Sequence, residues 1–253
     1  MPRDVVLPPL ALRYSLSMLR LERILSNRGY CTRGETDRFL DDHVVTHAGV
    51  RLRRSGVQVD AEKLLIDDQP LDAEKLYVLY HKPAGCICAH GDAGPEGGTL
   101  VYDLLPARWV ARNPVVTTVG RLDKETTGLL LLSDDGQFVH KLTSPKHHVP
   151  RVYQAELQHD LRGNEKAIFA SGKLMLANDD RALLPAELRV TGKRTCEITV
   201  HEGRYHQVRR MFAAVGNHVV KLHRSRFGQM ELGDLPEGQW RMIDAAAVTK
   251  LEK

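Results

Sequence analysis

Apolar positions along this chain follow two rhythms, and the change from one to the other marks its elements. From residue 19 the rhythm is helical. Leu21, Ile24 and Leu25 recur at three- and four-residue spacing, which predicts a helix ended by Gly29. Thr32 with Glu35 three residues on has the form of a capping box for a second helix, whose apolar side is Phe39 and Leu40. Short strand-like pieces follow at residues 44–46 and 57–59, with a turn at His47-Ala48-Gly49. Residues 64–71 form a closing hairpin around Asp67-Asp68. Together these predict a helix-helix-strand module over residues 18–75. Residues 1–17 carry Pro2, Pro8 and Pro9 with only weak periodicity, and are expected to be a disordered extension.

Beyond residue 76 the rhythm is mainly that of strands. Residues 76–80 are strand-like and are expected to break at His81-Lys82-Pro83-Ala84-Gly85. Residues 89–98 hold four glycines and a proline and suggest a mobile surface loop. The loop lacks a G-K-[ST] ending, which excludes a phosphate-cradling P-loop. Strand 115–119 leads into Gly120-Arg121-Leu122-Asp123, and then into the run Leu129-Leu130-Leu131-Leu132. Four leucines bounded by Gly128 and Asp134-Asp135-Gly136 read as a strand buried on both faces. A helix through Phe138, Val139 and Leu142, a half-buried strand at 152–157 and a helix at 164–171 come next. Strands at 184–190 and 196–200 follow. A helix at 205–215 has Val208, Met211, Phe212 and Val215 on one face, and residues 218–227 form a last strand. Strands outnumber helices and meet by short turns. This predicts an α+β domain over residues 76–253, with a mixed, mainly antiparallel sheet and helices packed against it.

Composition narrows the class. The 253 residues are 42% hydrophobic and 27% charged, values of an ordinary soluble globular protein. No apolar run approaches the roughly 20 residues of a membrane span. Cys31, Cys86, Cys88 and Cys196 are scattered, which suits the reducing cytoplasm. Cys86 and Cys88 lack a second ligand pair at matching spacing, so no metal site is expected. The net charge of +4 is modest, but its distribution is uneven. Residues 203–230 hold six Lys/Arg and no acid, as in a surface that meets a polyanion such as nucleic acid. The competing reading is a solvated face whose acids lie elsewhere in space.

Asp123 is the first candidate for chemistry. It sits on a turn between a charged cluster and a core strand, with Arg121 and Lys124 beside it. Either it caps backbone N–H groups, as turn aspartates commonly do, or it is a reactive carboxylate whose counter-ion comes from the basic helix start at residues 203–210.

Two resemblances bear on this choice. Arg20-Leu21-Glu22-Arg23-Ile24-Leu25, Gly29-Tyr30-Cys31-Thr32-Arg33 and Val44-Val45-Thr46-His47-Ala48-Gly49 resemble the S4 RNA-binding domain. His47-Ala48-Gly49 departs from the Val-Asn-Gly or Val-Asp-Gly more usual there. This resemblance implies RNA contacts by Arg20, Arg33, Arg38 and Arg51. Gly120-Arg121-Leu122-Asp123 with Thr127-Gly128 and the leucine run resembles the signature of RsuA-family RNA pseudouridine synthases. Lys82-Pro83-Ala84-Gly85, Arg151-Val152-Tyr153 and the run from Glu202 through Arg204-Tyr205-His206-Gln207-Val208-Arg209-Arg210 to Phe212 are similar to its other motifs, in the family's order. Arg151 stands where lysine is usual.

The second resemblance implies a catalytic domain of the pseudouridine synthase type. Asp123 would be the nucleophile, Arg209 its counter-ion, and Tyr153 the ring that stacks on the target uracil. Arg121, Val208, Lys82 and Arg210 would meet the substrate, with Arg121 filling the place vacated by the flipped base. It further implies ribosomal RNA as partner, no cofactor and a monomer. The Tyr-His-Gln-Val version of the last motif resembles the small-subunit branch, which implies uridine 516 of 16S rRNA as target. A large-subunit (23S) rRNA enzyme and a non-catalytic rRNA-binding assembly factor are the alternatives. His147, His148 and His206 are expected to contact RNA or to pack.

Overall fold

The computed structural model describes residues 18–91 and 97–251. The expected extension at 1–17 and part of the glycine-rich loop lie outside the described residues. The chain divides into two compact units between Ala73 and Glu74.

In the first unit, helices Leu21–Asn27 and Thr36–Asp42 pack on a small antiparallel sheet of Val50–Arg51, Val45–His47, Leu64–Ile66 and Gln69–Pro70, in that order. Leu21, Ile24, Leu25, Leu40, Val45 and Leu64 form its core. Leu19 and Arg20 do not start the helix. They pair with Val59 and Gln58, and the Leu21 N–H donates to Val57 O, so the helix begins only when that ladder ends. The capping pair is present: the Glu35 carboxylate accepts from the Thr32 N–H at 3.0 Å and from its hydroxyl at 2.6 Å. Ala48 and Gly49 both have positive φ (50° and 80°), as a two-residue hairpin turn demands. Arg20, Arg33, Arg38 and Arg51 are all exposed. Arg20 and Arg38 share their charge with Glu22 (3.4 Å) and Asp42 (3.7 Å).

The second unit is α+β. Its main sheet has the strands β1 (Tyr77–Lys82), β2 (Thr126–Ser133), β3 (Arg151–Leu157), β4 (Glu187–Val190), β5 (Thr195–Val200), β6 (Val219–Phe227) and β7 (Trp240–Met242). They lie in the order β4-β5-β3-β6-β2-β1-β7. Neighbours in this order are antiparallel except β2 and β6, which run parallel over Thr126–Gly128 and Leu222–Arg224. Helices α1 (Gly136–Thr143), α2 (Glu165–Ala170) and α3 (Gln207–Ala214) connect the strands.

The leucine run explains the layering. Leu130 and Leu132 join one apolar cluster with Val78, Tyr80, Ile198, Met211 and Phe212. Leu129 and Leu131 join another on the opposite face with Leu79, Phe138, Leu142 and Phe227. Strand alternation thus buries all four leucines, two per face. The break expected at His81-Lys82 is absent. Both residues stay in β1 because β2 pairs with them through Leu129 and Gly128, and the strand ends only before Pro83. Gly128 has φ +110°, and a Cβ there would collide with the Arg224 carbonyl oxygen and lie 2.7 Å from its nitrogen. Glycine is therefore what lets β2 and β6 come together.

Candidate active site

Asp123 lies on the turn that enters β2. Its carbonyl accepts from the Thr126 N–H at 3.0 Å, and its Oδ2 lies 3.5 Å from the Thr126 hydroxyl. That contact comes from a hydroxyl at the start of β2 rather than from a backbone N–H, so the backbone-capping role open from sequence is not the one seen among the described hydrogen bonds. The carboxylate instead faces two side chains at the start of α3. Arg209 Nε is 3.8 Å from Oδ2, and the His206 imidazole Nε2 is 3.5 Å from Oδ1. Arg209 is fixed from behind by donating to Val219 O at 2.9 Å, on β6.

This carboxylate opens into a groove of about 1370 Å³, lined among others by Arg121, Tyr153, His206, Val208, Arg209 and Arg224. Arg121 is exposed, whereas Val208 and Tyr153 are buried at the groove's wall. Asp123, Tyr153, Arg209, Arg121 and Val208 are thereby brought together from three separate parts of the sequence. A smaller cavity of about 420 Å³ is lined by Glu156, Arg189, Glu197 and Lys221. Its charges are paired, Lys221 with Glu156 at 2.9 Å and Arg189 with Glu197 at 3.0 Å, so it offers no unspent charge for chemistry.

Two residues expected at the substrate are placed elsewhere. Lys82 is fully buried, and its ammonium donates to Pro83 O at 2.9 Å and to Lys124 O and Thr126 O, each at 3.0 Å. It clasps the turn that bears Asp123 from beneath. Burial pushes its pKa below the ordinary lysine value, and nearby thiols and carboxylates oppose that shift. Arg210 turns away from the groove: it donates to Asp179 Oδ1 and Ala177 O, both at 2.6 Å, and to Tyr205 O at 3.2 Å. Arg204 also reaches Asp179, at 2.8 Å, and Glu202 at 3.0 Å. The stretch that lacks acids in sequence is thus partly neutralised in space by Asp179 and Glu202. Arg209 and Arg121 line the groove together with Lys124, Arg151, Lys221 and Arg224.

Two participants hold places that the sequence reading does not give them. Arg224 reads as one basic residue in an alternating strand, yet it is 1% exposed. Its Nε donates to Leu129 O at 2.8 Å, its Nη1 lies 3.5 Å from the Tyr153 hydroxyl, and its guanidinium sits 5.2 Å from the Phe227 ring centre. It braces Tyr153 from the strand behind. Burial, together with the charge of Arg224, lowers the pKa of neighbouring Arg151. The groove is lined by seven Lys/Arg against the three carboxylates Asp123, Glu125 and Glu202, an excess of positive charge that suits a phosphate-bearing ligand. His206 is the second. Its φ of 49° is left-handed, a conformation costing about 1–2 kcal/mol for a residue with a side chain. That kink delays the start of α3 to Gln207 and turns the imidazole toward Asp123.

Residues 76–214 match the RNA pseudouridylate synthase family. The chain is 34% identical over 239 residues to the ribosomal small subunit pseudouridine synthase A of Haemophilus influenzae, covering 93% of this chain and 100% of that protein. It is 36% identical over 230 residues to the protein of the same name from Escherichia coli K12, covering 89% and 96%. A crystal structure of a pseudouridylate synthase superposes with a TM-score of 0.64 at 34% identity, over 92% of this chain and 99% of that one. With the Asp123 carboxylate held beside Arg209 and His206 in an open groove, and with similarity along nearly its whole length, the chain belongs to the RNA pseudouridylate synthase family and is an isomerase that makes pseudouridine in RNA.

Proposed function

We propose that the chain isomerises one uridine of small-subunit ribosomal RNA, at the position matching uridine 516 of 16S rRNA, with Asp123 as the nucleophile. The observation that carries the nucleophile is the setting of Asp123, with Arg209 at one oxygen and His206 at the other in a groove shared with Tyr153. The choice of RNA rests on near full-length similarity to small-subunit enzymes.

A stacked uridine cannot reach Asp123, so the nucleotide flips into the groove at a cost of a few kcal/mol. Asp123 attacks at C6 of the ring or at C1′ of the sugar, and the C1′–N1 bond breaks. The uracil turns, C1′ bonds to C5, the bond to Asp123 breaks with its electron pair returning to the carboxylate, the C5 proton leaves, and N1 takes up a proton. Atoms balance without redox or hydrolysis, and no cofactor takes part. Arg209 keeps the carboxylate aimed. Tyr153 stacks on the uracil, Val208 packs beside it, and Arg121 enters the gap left in the RNA. Residues 18–75 act as an S4-like domain that anchors rRNA through Arg20, Arg33, Arg38 and Arg51. The protein works as a monomer in the cytoplasm, a setting that suits its free cysteines.

The test is release of tritium from rRNA labelled at uridine C5, followed by mapping of the modified position. Wild type should release tritium from small-subunit RNA, and Asp123→Ala should release none. Equal release by Asp123→Ala would remove the nucleophile assignment. A modified site in large-subunit RNA would overturn the substrate.

A further inference from the structure

Tyr205 has no task in the reaction as written, yet it is the most exposed large apolar side chain of the described residues, at 70%. It lines the same groove as Asp123. Its ring lies flat on the His206 imidazole, with centres 3.8 Å apart and planes within 17°. His206 in turn touches Asp123. The backbone below is held firmly. Arg204 donates to Glu202, Asp179, Arg181 O and Ala182 O, and Arg210 donates to Tyr205 O. The left-handed turn at His206 is stabilised within this frame. The result is a fixed aromatic face, open to solvent, at the rim of an electropositive groove. Other exposed apolar side chains lack this combination. Val50, Val115 and Val190 have no flat ring, and Trp240 packs on Trp109 at 4.4 Å.

We propose that the exposed face of Tyr205 is a stacking platform for the base adjoining the target uridine. The inference rests on the function proposed above. When one nucleotide leaves a strand, its neighbour loses a stacking partner. A rigid ring beside the nucleophile replaces that partner and fixes the strand where the uridine enters. Base–aromatic stacking tolerates any base and acts on affinity and placement. Tyr205 is therefore a positioning residue, with His206 as the backing that keeps its ring flat.

The test compares Tyr205→Phe, Tyr205→Leu and Tyr205→Ala on an rRNA fragment labelled with tritium at uridine C5. Under single turnover, Ala and Leu should raise the half-saturating concentration about tenfold, with the maximal rate changed less than threefold. Phe should restore wild-type affinity because it keeps the ring. A second fragment carries 2-aminopurine next to the target uridine. Its fluorescence should be quenched on binding wild type and Phe, and stay bright on Ala and Leu. Unchanged affinity and unchanged quenching in Tyr205→Ala would overturn the platform. No tritium release by wild type from any rRNA would overturn the proposed reaction, while quenching would still report on the platform.

Discussion

Replacing Lys82 by methionine separates two roles that its position in the sequence leaves equal. The side chain keeps its length and loses its charge. Three ammonium–carbonyl bonds disappear, to Pro83 O, Lys124 O and Thr126 O. Bonds to a charged donor are worth about 1.5–3 kcal/mol each, so the gross loss is about 4–9 kcal/mol. Removing a buried ammonium returns several kcal/mol of desolvation. The expected net destabilisation is about 2–4 kcal/mol, or a fall in Tm of roughly 6–12 °C for a unit of this size. The freed carbonyls belong to the turn bearing Asp123, and a shift of about 1 Å there should lower kcat about a hundredfold. The assays are thermal unfolding and single-turnover tritium release, with binding titrated against salt. A lysine that instead met RNA would leave Tm unchanged, raise KM and reduce the salt slope by about one when removed. That second pattern would refute the clasp.

Gly128→Ala should cost at least about 4 kcal/mol and lead to insoluble protein, because the added methyl meets the backbone of Arg224 and no side chain can yield; soluble protein with an unchanged Tm would contradict the β2–β6 contact. Arg209→Met removes a cation 3.8 Å from Asp123. After discounting for solvent, about 1–2 kcal/mol of the roughly 4 kcal/mol Coulomb interaction should be lost, about a five- to thirtyfold fall in kcat/KM measured by tritium release. Arg210 and Arg204 hold the Asp179 carboxyl below its usual value of 3.8. A depressed folded-state pKa gives stability that is complete above the unfolded value and lost as pH falls through the folded one. Amide protection of residues 177–182 should therefore decline below about pH 4 in wild type. Asp179→Asn should lack this decline, and identical acid profiles would argue against the clamp.

Apolar periodicity was enough to read the second unit's layering. Four leucines in a row could only be a strand covered on both sides, and alternation sends them to two cores. Motif resemblance pointed to Asp123, Tyr153 and Arg209, and these do share one groove. Lys82 and Arg210 were misplaced for a common reason. Their partners are mostly backbone carbonyls, or an acid about thirty residues upstream, and a carbonyl leaves no mark in a sequence. Arg224 was hidden because a buried arginine on a strand looks like an exposed one until the neighbouring strands are known. The place of His206 beside Asp123 is not legible because left-handed backbone usually announces itself through glycine or asparagine, and here neither is present.

The parallel contact between β2 and β6 spans only three residue pairs. Asp123 lies on the turn that enters β2, whereas Tyr153 lies on β3 and Arg209 on α3, both held against β6. Leu130 and Leu132 share one apolar cluster with Met211 and Phe212 across the seam. The spacing of the reacting groups is therefore inherited from how this short seam packs, and a shift of about 1 Å there should be enough to govern turnover. Substitutions far from the groove that displace the seam should tune the rate without touching RNA.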